Sequence, residues 1–208
     1  MAKLYFRYGT VGSAKTLNLL AVAHNYRQQN KRVLLLKPEI DTRFGKDIIK
    51  TRAGLEAKAD ILVPASGPID ILDLNDVVCM LVDEAQFLSV EAIDQLHGAA
   101  HACTYPPYNR KGVPVICYGL RTDFRQQLFP AAKRLMELAD TIEEIKTICA
   151  FCLRKAVFNL KLCDGQPTMI GPAIELGCEE KYLPVCAACY AVKHGIAPRH
   201  ITSSGAAT

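Results

Sequence analysis

The chain has 208 residues, 50% apolar and 22% charged, with a formal charge of +4; this describes a globular protein of one or two domains and excludes a disordered one. No run of five or six like charges occurs, which argues against a nucleic-acid surface built on a concentrated basic patch. The longest uninterrupted apolar stretch, Val77 to Val82, is far below the roughly 20 residues that cross a bilayer, and Arg7 arrives too early for a signal-peptide core, so the expected location is cytoplasmic.

Leu4, Phe6 and Tyr8 alternate with Lys3 and Arg7 and predict a first strand over residues 3–8. It runs into Gly9-Thr10-Val11-Gly12-Ser13-Ala14-Lys15-Thr16. Small residues let backbone N–H groups approach an anion, a lysine reaches the outer phosphates and a hydroxyl serves Mg²⁺, and Gly9, Gly12, Lys15 and Thr16 supply that set. Ala14 stands where the usual spacing has glycine, so the string by itself reads equally well as a structural turn. Leu17, Leu20, Ala21 and His24 recur at helical spacing and predict a helix from Lys15 or Thr16 to about Gln29, its N-terminus aimed at the phosphates. His24 is expected to pack or cap, not to bind a ligand.

Arg32 to Lys37 predicts a second, fully buried strand stopped by Pro38. The polar, basic and turn-rich residues Asp41 to Gly54 suit a loop at the carboxyl edge of that strand, where ligands bind in an open parallel sheet. Arg43 and Arg52 are candidate phosphate clamps, although ordinary solvated arginines are the commoner content of such a loop. Val77 to Val82 is apolar at every position and ends in Asp83-Glu84-Ala85-Gln86-Phe87. Two adjacent acids at the tip of a buried strand are costly unless a cation or hydrogen bonds await them. Downstream of a phosphate loop they read as an Mg²⁺ ligand and an activating carboxylate; the competing reading is an N-cap for a helix over Ser89 to Leu96.

A connection from Ala102 to Gly112 leads to a strand over Val113 to Leu120 and then a helix over Phe129 to Ala139, apolar at Phe129, Ala132, Leu135, Leu138 and Ala139. Alternating strands and helices imply a doubly wound α/β fold with a mainly parallel sheet. From about Thr147 the character changes. Of nine cysteines, Cys149 and Cys152 form one CxxC pair and Cys186 and Cys189 another, with 33 residues between the pairs. Two such pairs predict a structural Zn²⁺ held by four thiolates with no open position for catalysis. Cys79, Cys103, Cys117, Cys163 and Cys178 are scattered, and Cys79 and Cys117 read as small buried hydrophobes. The zinc lobe is too small to fold without its metal. The expected division is 1–145, 146–195 and a disordered tail over 196–208.

Taken in order, the loop at 9–16, Asp41-Thr42-Arg43-Phe44, Asp83 to Phe87, Tyr118-Gly119-Leu120-Arg121-Thr122-Asp123-Phe124 and the paired cysteines resemble the zinc-containing type II thymidine kinases, from Leu4 to about Tyr190. The resemblance implies a P-loop, RecA-like doubly wound sheet followed by a small zinc-ribbon or lasso domain. It implies transfer of the γ-phosphate of ATP, with Mg²⁺, to the 5′-hydroxyl of thymidine and of deoxyuridine, a salvage route to dTTP. A homotetramer inhibited by dTTP is also implied, with no nucleic-acid or membrane partner.

The same resemblance assigns roles to residues. Gly9, Thr10, Val11, Gly12, Ser13, Ala14, Lys15 and Thr16 would bind the ATP phosphates, and Thr16 and Asp83 would hold Mg²⁺ with Asp41 beside them. Glu84 would be the general base, Lys15 and Arg43 would act on the phosphates, and Arg52 is a weaker candidate for that task. Phe124 and Tyr182, with Val11 adjoining, would bind the nucleoside under a lasso drawn from the residues between the cysteine pairs. Departures from the family pattern are Ala14 for glycine, Val11 for methionine, Cys178 within a Gly-Gly pair, and Ala187 and Ala188 in place of basic residues. Two rivals remain at this point. Asp83-Glu84-Ala85-Gln86 also resembles the acidic box of a helicase, which with a zinc ribbon would make a nucleic-acid-dependent ATPase, but no second helicase-like half or basic-aromatic strand is visible. The other is a non-catalytic zinc-ribbon module.

Overall fold

The computed structural model describes residues 2–70, 74–101, 111–173 and 182–196. Most of the Ala102–Gly112 connection, Cys103, Cys178, much of the expected lasso and the tail beyond 196 lie outside the described residues. Strands β1 (Leu4–Tyr8), β2 (Arg32–Pro38), β3 (Ile48–Lys50), β4 (Glu56–Lys58), β5 (Ile61–Val63), β6 (Val77–Val82), β7 (Val115–Gly119) and β8 (Thr141–Glu144) precede β9 (Phe158–Cys163), β10 (Gln166–Pro167) and β11 (Tyr182–Val185). The α-helices are α1 (Lys15–Gln28), α2 (Val90–Ala100), α3 (Pro130–Leu138) and α4 (Ala187–Lys193).

Six strands form a parallel sheet in the order β5-β2-β6-β7-β1-β8. Such a sheet needs apolar cover on both faces, which explains the unbroken apolar runs of β2 and β6. Successive side chains point to opposite faces. Leu34, Leu36, Met80 and Val82 face Ile93 and Leu96 of α2 and Ala132 and Leu135 of α3. Val33, Leu35, Cys79 and Leu81 face Leu19, Leu20 and Ala23 of α1 on the other side. Helices on both faces make the fold doubly wound, as the sequence predicts. Cys79 and Cys117 are fully buried, and desolvation pushes the Cys79 thiol up to about 12, so both behave as small hydrophobes.

The buried face of α1 differs from the predicted one. Leu19, Leu20 and Ala23 are buried, while Leu17, Ala21 and His24 are exposed. The helix is clocked by Lys15, which is buried in the preceding loop, and the stripe four and eight residues further on follows from that anchor. The loop expected over residues 41–54 contains part of a hairpin, β3 paired antiparallel with β4. β8 has no counterpart in the sequence expectations. It joins the sheet beside β1 with Thr141, Glu143 and Glu144 in a four-residue edge strand, whose polar composition hides it.

The second, three-stranded sheet, β10-β9-β11, is antiparallel. Its small core consists of Cys149, Leu160, Val185, Cys186 and Tyr190.

Candidate active site

β1 delivers the loop at its carboxyl end, and two glycines fix how closely elements meet there. The Gly9 N–H donates to the Gly119 carbonyl at 3.2 Å. A Cβ on Gly9 would collide with the Ser13 side chain and stand 2.5 Å from the Ile145 carbonyl oxygen. Lys15 is buried, and its Nζ donates to the Thr10 carbonyl at 2.8 Å and the Gly9 carbonyl at 3.3 Å. Ala14 is the N-cap of α1 at φ 60°, in the left-handed region, without a side-chain cap. The glycine that the usual spacing calls for would adopt that conformation freely; for alanine it costs about 1 kcal/mol.

The acids at the end of β6 meet this loop. The Thr16 hydroxyl donates to Asp83 at 3.2 Å from Oδ1 and 3.3 Å from Oδ2. The helix that follows is capped by the Ser89 side chain, which accepts from the Ala92 N–H, so the acids are not consumed as its cap. Burial and the adjacent Glu84 charge push Asp83 up to about 7, against the opposing pull of Arg43 and the Thr16 hydrogen bond. A buried carboxylate whose charge its neighbours do not compensate gains from a nearby cation, so Asp83 with the Thr16 hydroxyl beside it is a candidate seat for a hard one.

Glu84 takes a left-handed backbone, φ 47° and ψ 41°. Its Oε1 accepts from Arg43 Nη2 at 2.6 Å and its Oε2 from Gln86 Nε2 at 2.6 Å. Burial alone would raise its pKa, but Arg43 and Lys15 together with these hydrogen bonds outweigh that and hold the carboxylate below its ordinary value. Arg43 is itself gripped by Asp41, at 2.7 Å from Nε to Oδ1 and 3.1 Å from Nη2 to Oδ2. Burial disfavours its charge, yet Glu84 and Asp41 raise its pKa above the usual arginine value. Asp41 is thus placed to aim Arg43, and Arg43 to reach the base candidate. The surface-arginine reading of Arg43 is overturned: its side chain is 14% exposed and bonded on two sides. Arg52 lines the same cavity.

These residues surround one cavity of about 290 Å³, which Val11, Phe124, Asn159 and Tyr182 also line. Phe124 is fully buried, with Lys161 Nζ 4.9 Å from its ring centroid and the Tyr182 ring 6.3 Å away at 50°. The cavity therefore has a charged end at the loop and acids, and an aromatic end between Phe124 and Tyr182.

Four residues matter here that sequence reasoning did not single out. Gln86 joins Glu84 to β7 by accepting from the Leu120 N–H at 2.9 Å. Lys37, 1% exposed at the end of β2, donates to the carbonyls of Gly45 at 3.0 Å and Ile48 at 2.6 Å, which secures the loop carrying Asp41 and Arg43. Burial lowers its pKa. Asn159 of β9 reaches the cavity from the second sheet, and Lys161 of the same strand lies over the Phe124 ring. A charged or amide residue interrupting an otherwise apolar strand, as Lys37 does in β2, was the available signal.

The four cysteine sulfurs all lie within 4.8 Å of one another, with Cys152 and Cys186 3.5 Å apart. A tetrahedral ion with sulfurs at about 2.3 Å sets them about 3.8 Å apart, so the cluster has the dimensions to hold one metal ion. The Phe151 and Cys189 N–H groups donate to Cys149 and Cys186 sulfurs, which favours thiolates there.

A small-residue loop between β1 and α1, a hydroxyl facing a carboxylate, and two aromatic rings on one cavity make this a doubly wound α/β protein with a candidate nucleotide site at the carboxyl edge of its sheet. The thymidine kinase family model matches residues 2–190. A thymidine kinase of Lactiplantibacillus plantarum is 40% identical over 188 residues, 89% of this chain and 94% of the relative. One from Chromobacterium violaceum is 41% identical over 193 residues, covering 91% and 98%, and one from Streptococcus pyogenes serotype M3 is 39% identical over 191 residues, covering 89% and 95%. The chain belongs to the thymidine kinase family. A solved structure of two helicases coordinating at forked double-stranded DNA aligns with 69% of this chain and 39% of its own, at 16% identity and a TM-score of 0.36, a likeness that carries no argument about function. No helix among the described residues is long and apolar enough to cross a membrane.

Proposed function

We propose that this chain transfers the γ-phosphate of ATP to the 5′-hydroxyl of thymidine, and of deoxyuridine, giving dTMP and ADP in a salvage route to dTTP. The observation that carries the reading is the single cavity in which Thr16–Asp83 and Arg43–Glu84 face Phe124 and Tyr182. Residues 9–16 take the donor phosphates, with Lys15 exchanging loop carbonyls for phosphate oxygens. Thr16 and Asp83 would hold Mg²⁺, which would supply neutralisation of the phosphate charge. Asp41, which spends its carboxylate on Arg43 in this geometry, serves the metal side by aiming that guanidinium at the phosphates. Glu84 takes the proton of the 5′-hydroxyl once Arg43 turns to the phosphates, a contribution of roughly 10²–10⁴ in rate. Phe124 and Tyr182 flank the base, with Val11 beside it.

In this reading residues 1–145 form the kinase domain and 146–195 a lasso domain tied by Zn²⁺ on Cys149, Cys152, Cys186 and Cys189. Four thiolates suit zinc and a reducing cytoplasm. A homotetramer with dTTP as feedback inhibitor completes the proposal, on the strength of the family.

The test follows ATP consumption with thymidine, with single-stranded DNA and with neither. Thymidine-dependent dTMP is the expected result; turnover driven by DNA alone would replace this reading with the ATPase one. Glu84→Gln should lose most turnover while retaining ATP binding, and unchanged turnover would remove Glu84 from the base role.

A further inference from the structure

The two oxygens of the Glu84 carboxylate are held by donors of different kinds. Oε1 accepts from Arg43 Nη2 and Oε2 from Gln86 Nε2, each at 2.6 Å. Arg43 belongs to the connection between β2 and β3, and its guanidinium also binds Asp41 through Nε at 2.7 Å. It can release Glu84 and remain anchored to Asp41. Gln86 has no such freedom. It lies 2% exposed in a single short helical turn over Ala85–Phe87, and both ends of its amide are engaged.

The second of those bonds fixes the first. β7 pairs with β6 as far as Cys117 opposite Val82, after which the β6 chain continues into Asp83 and Glu84. The Leu120 N–H lies beyond that last pair, and Gln86 Oε1 accepts it at 2.9 Å. An amide placed between a carboxylate and a backbone N–H can face only one way, its NH₂ toward the carboxylate and its oxygen toward the N–H. Gln86 therefore passes the position of the β7 main chain on to Glu84 Oε2. Turning the amide away would leave a buried donor and a buried acceptor unpaired.

We propose that Gln86 is a positioning residue that reserves Oε2 of Glu84, so that Oε1 is the oxygen that receives the 5′-hydroxyl proton when Arg43 turns to the phosphates. The proposal rests on the kinase reading for the reaction itself. In that step the 5′ oxygen gives its proton to Oε1 as it bonds to the γ-phosphorus, and the bond from that phosphorus to the ADP oxygen breaks with its electron pair leaving on ADP. Arg43 is the movable partner of the base and Gln86 the fixed one. A carboxylate free to rotate would hold Oε1 in the productive orientation for only a fraction of the time, which lowers the rate of the chemical step and leaves substrate binding alone.

The experiment uses the full metal-loaded chain. The kcat, the KM values for ATP and thymidine, and equilibrium ATP binding are measured for wild type, Gln86→Met and Gln86→Asn, and crystal structures of the variants are determined. Methionine keeps the length and removes the donor; asparagine keeps the amide but is one methylene too short to span both partners, and it carries the test should the methionine variant not be recovered folded. Each should lower kcat roughly ten- to hundredfold with both KM values and ATP binding little changed, and the Glu84 carboxylate should leave its wild-type orientation or occupy more than one. In a Glu84→Gln background Gln86→Met should lower kcat no further, because Gln86 acts only through that carboxylate; a general loss of packing would lower it in both backgrounds. Unchanged kcat, an equal further loss in the Glu84→Gln background, or a Glu84 carboxylate that stays in place without Gln86 overturns the proposal. The crystallographic readout needs no substrate, so failure of the positioning role is distinguishable from failure of the wild type to make dTMP.

Discussion

The two sheets are held together by different means. The six-stranded sheet is covered on both faces, and each large side chain buried there, such as Leu81 or Leu135, contributes about 1.5–3 kcal/mol. The apolar core against the three-stranded sheet has, among the described residues, five buried members, and two of them, Cys149 and Cys186, belong to the sulfur cluster. The first sheet has a core to which a ligand is added; in the second the ligand set is part of the core. The difference teaches that Tyr182, on β11, rides on a lobe whose core is partly built of cysteines, whereas the acids and the loop depend mainly on apolar packing.

The sharpest way to break this contrast is to remove the metal. Structural zinc contributes on the order of 10–16 kcal/mol in small zinc-dependent peptides. A chelator should therefore melt residues 158–163 and 182–190 while 77–82 stay protected, read by amide hydrogen exchange. Metal analysis before chelation should give about one ion per chain. Simultaneous loss of both sheets would mean that they form one cooperative unit. Next in size, Leu81→Ala should cost about 2–5 kcal/mol, measured by denaturant unfolding at full metal occupancy; a loss confined to the lobe would invert the comparison.

Ala14→Gly should stabilise the first sheet by about 1 kcal/mol, because it relieves the left-handed backbone at φ 60°. An unchanged melting temperature would show that the loop supports alanine without strain. The smallest effect concerns His194, whose Nε2 is buried with no hydrogen-bond partner among the described residues and whose pKa burial lowers below 6.5. A histidine depressed in the folded state contributes stability that is present above its unfolded value and lost as pH falls through its folded one. The lobe should melt at lower temperature as pH drops below about 6.5, and His194→Phe should flatten that slope relative to wild type.

Much of the first sheet was legible because its strands and helices announce themselves by burial alone. β1 alternates, β2, β6 and β7 carry apolar runs, and α2 carries a serine cap. The short β5 and the polar edge strand β8 were not legible, since neither is long enough to show a period and pairing with β2 and β1 decides their conformation. In the site, Lys15, Thr16, Asp83 and Glu84 could be read from their neighbours in sequence. Lys37 stood out only as a charge in an apolar strand, and its partners, like those of Gln86 and Asn159, are set by tertiary fold: Asn159 meets a residue 148 positions away. Arg43 lay between these cases, polar enough to be taken for surface until Asp41 and Glu84 were seen to enclose it.

The strand that carries the phosphate loop and the strand that carries the acids are not neighbours, because β7 runs between them. Their separation is two strand spacings, about 9.6 Å, and the sheet acts as a ruler for the site. β7 ends on the mark at Gly119, where a Cβ would stand 2.7 Å from Gln86 Oε1 and 3.2 Å from the Gln86 nitrogen. Its carbonyl meanwhile receives the Gly9 N–H from the other side. A methyl group at Gly119 would be a shim driven into that gauge, moving Gln86 and the Glu84 carboxylate it steadies while touching neither nucleotide nor metal.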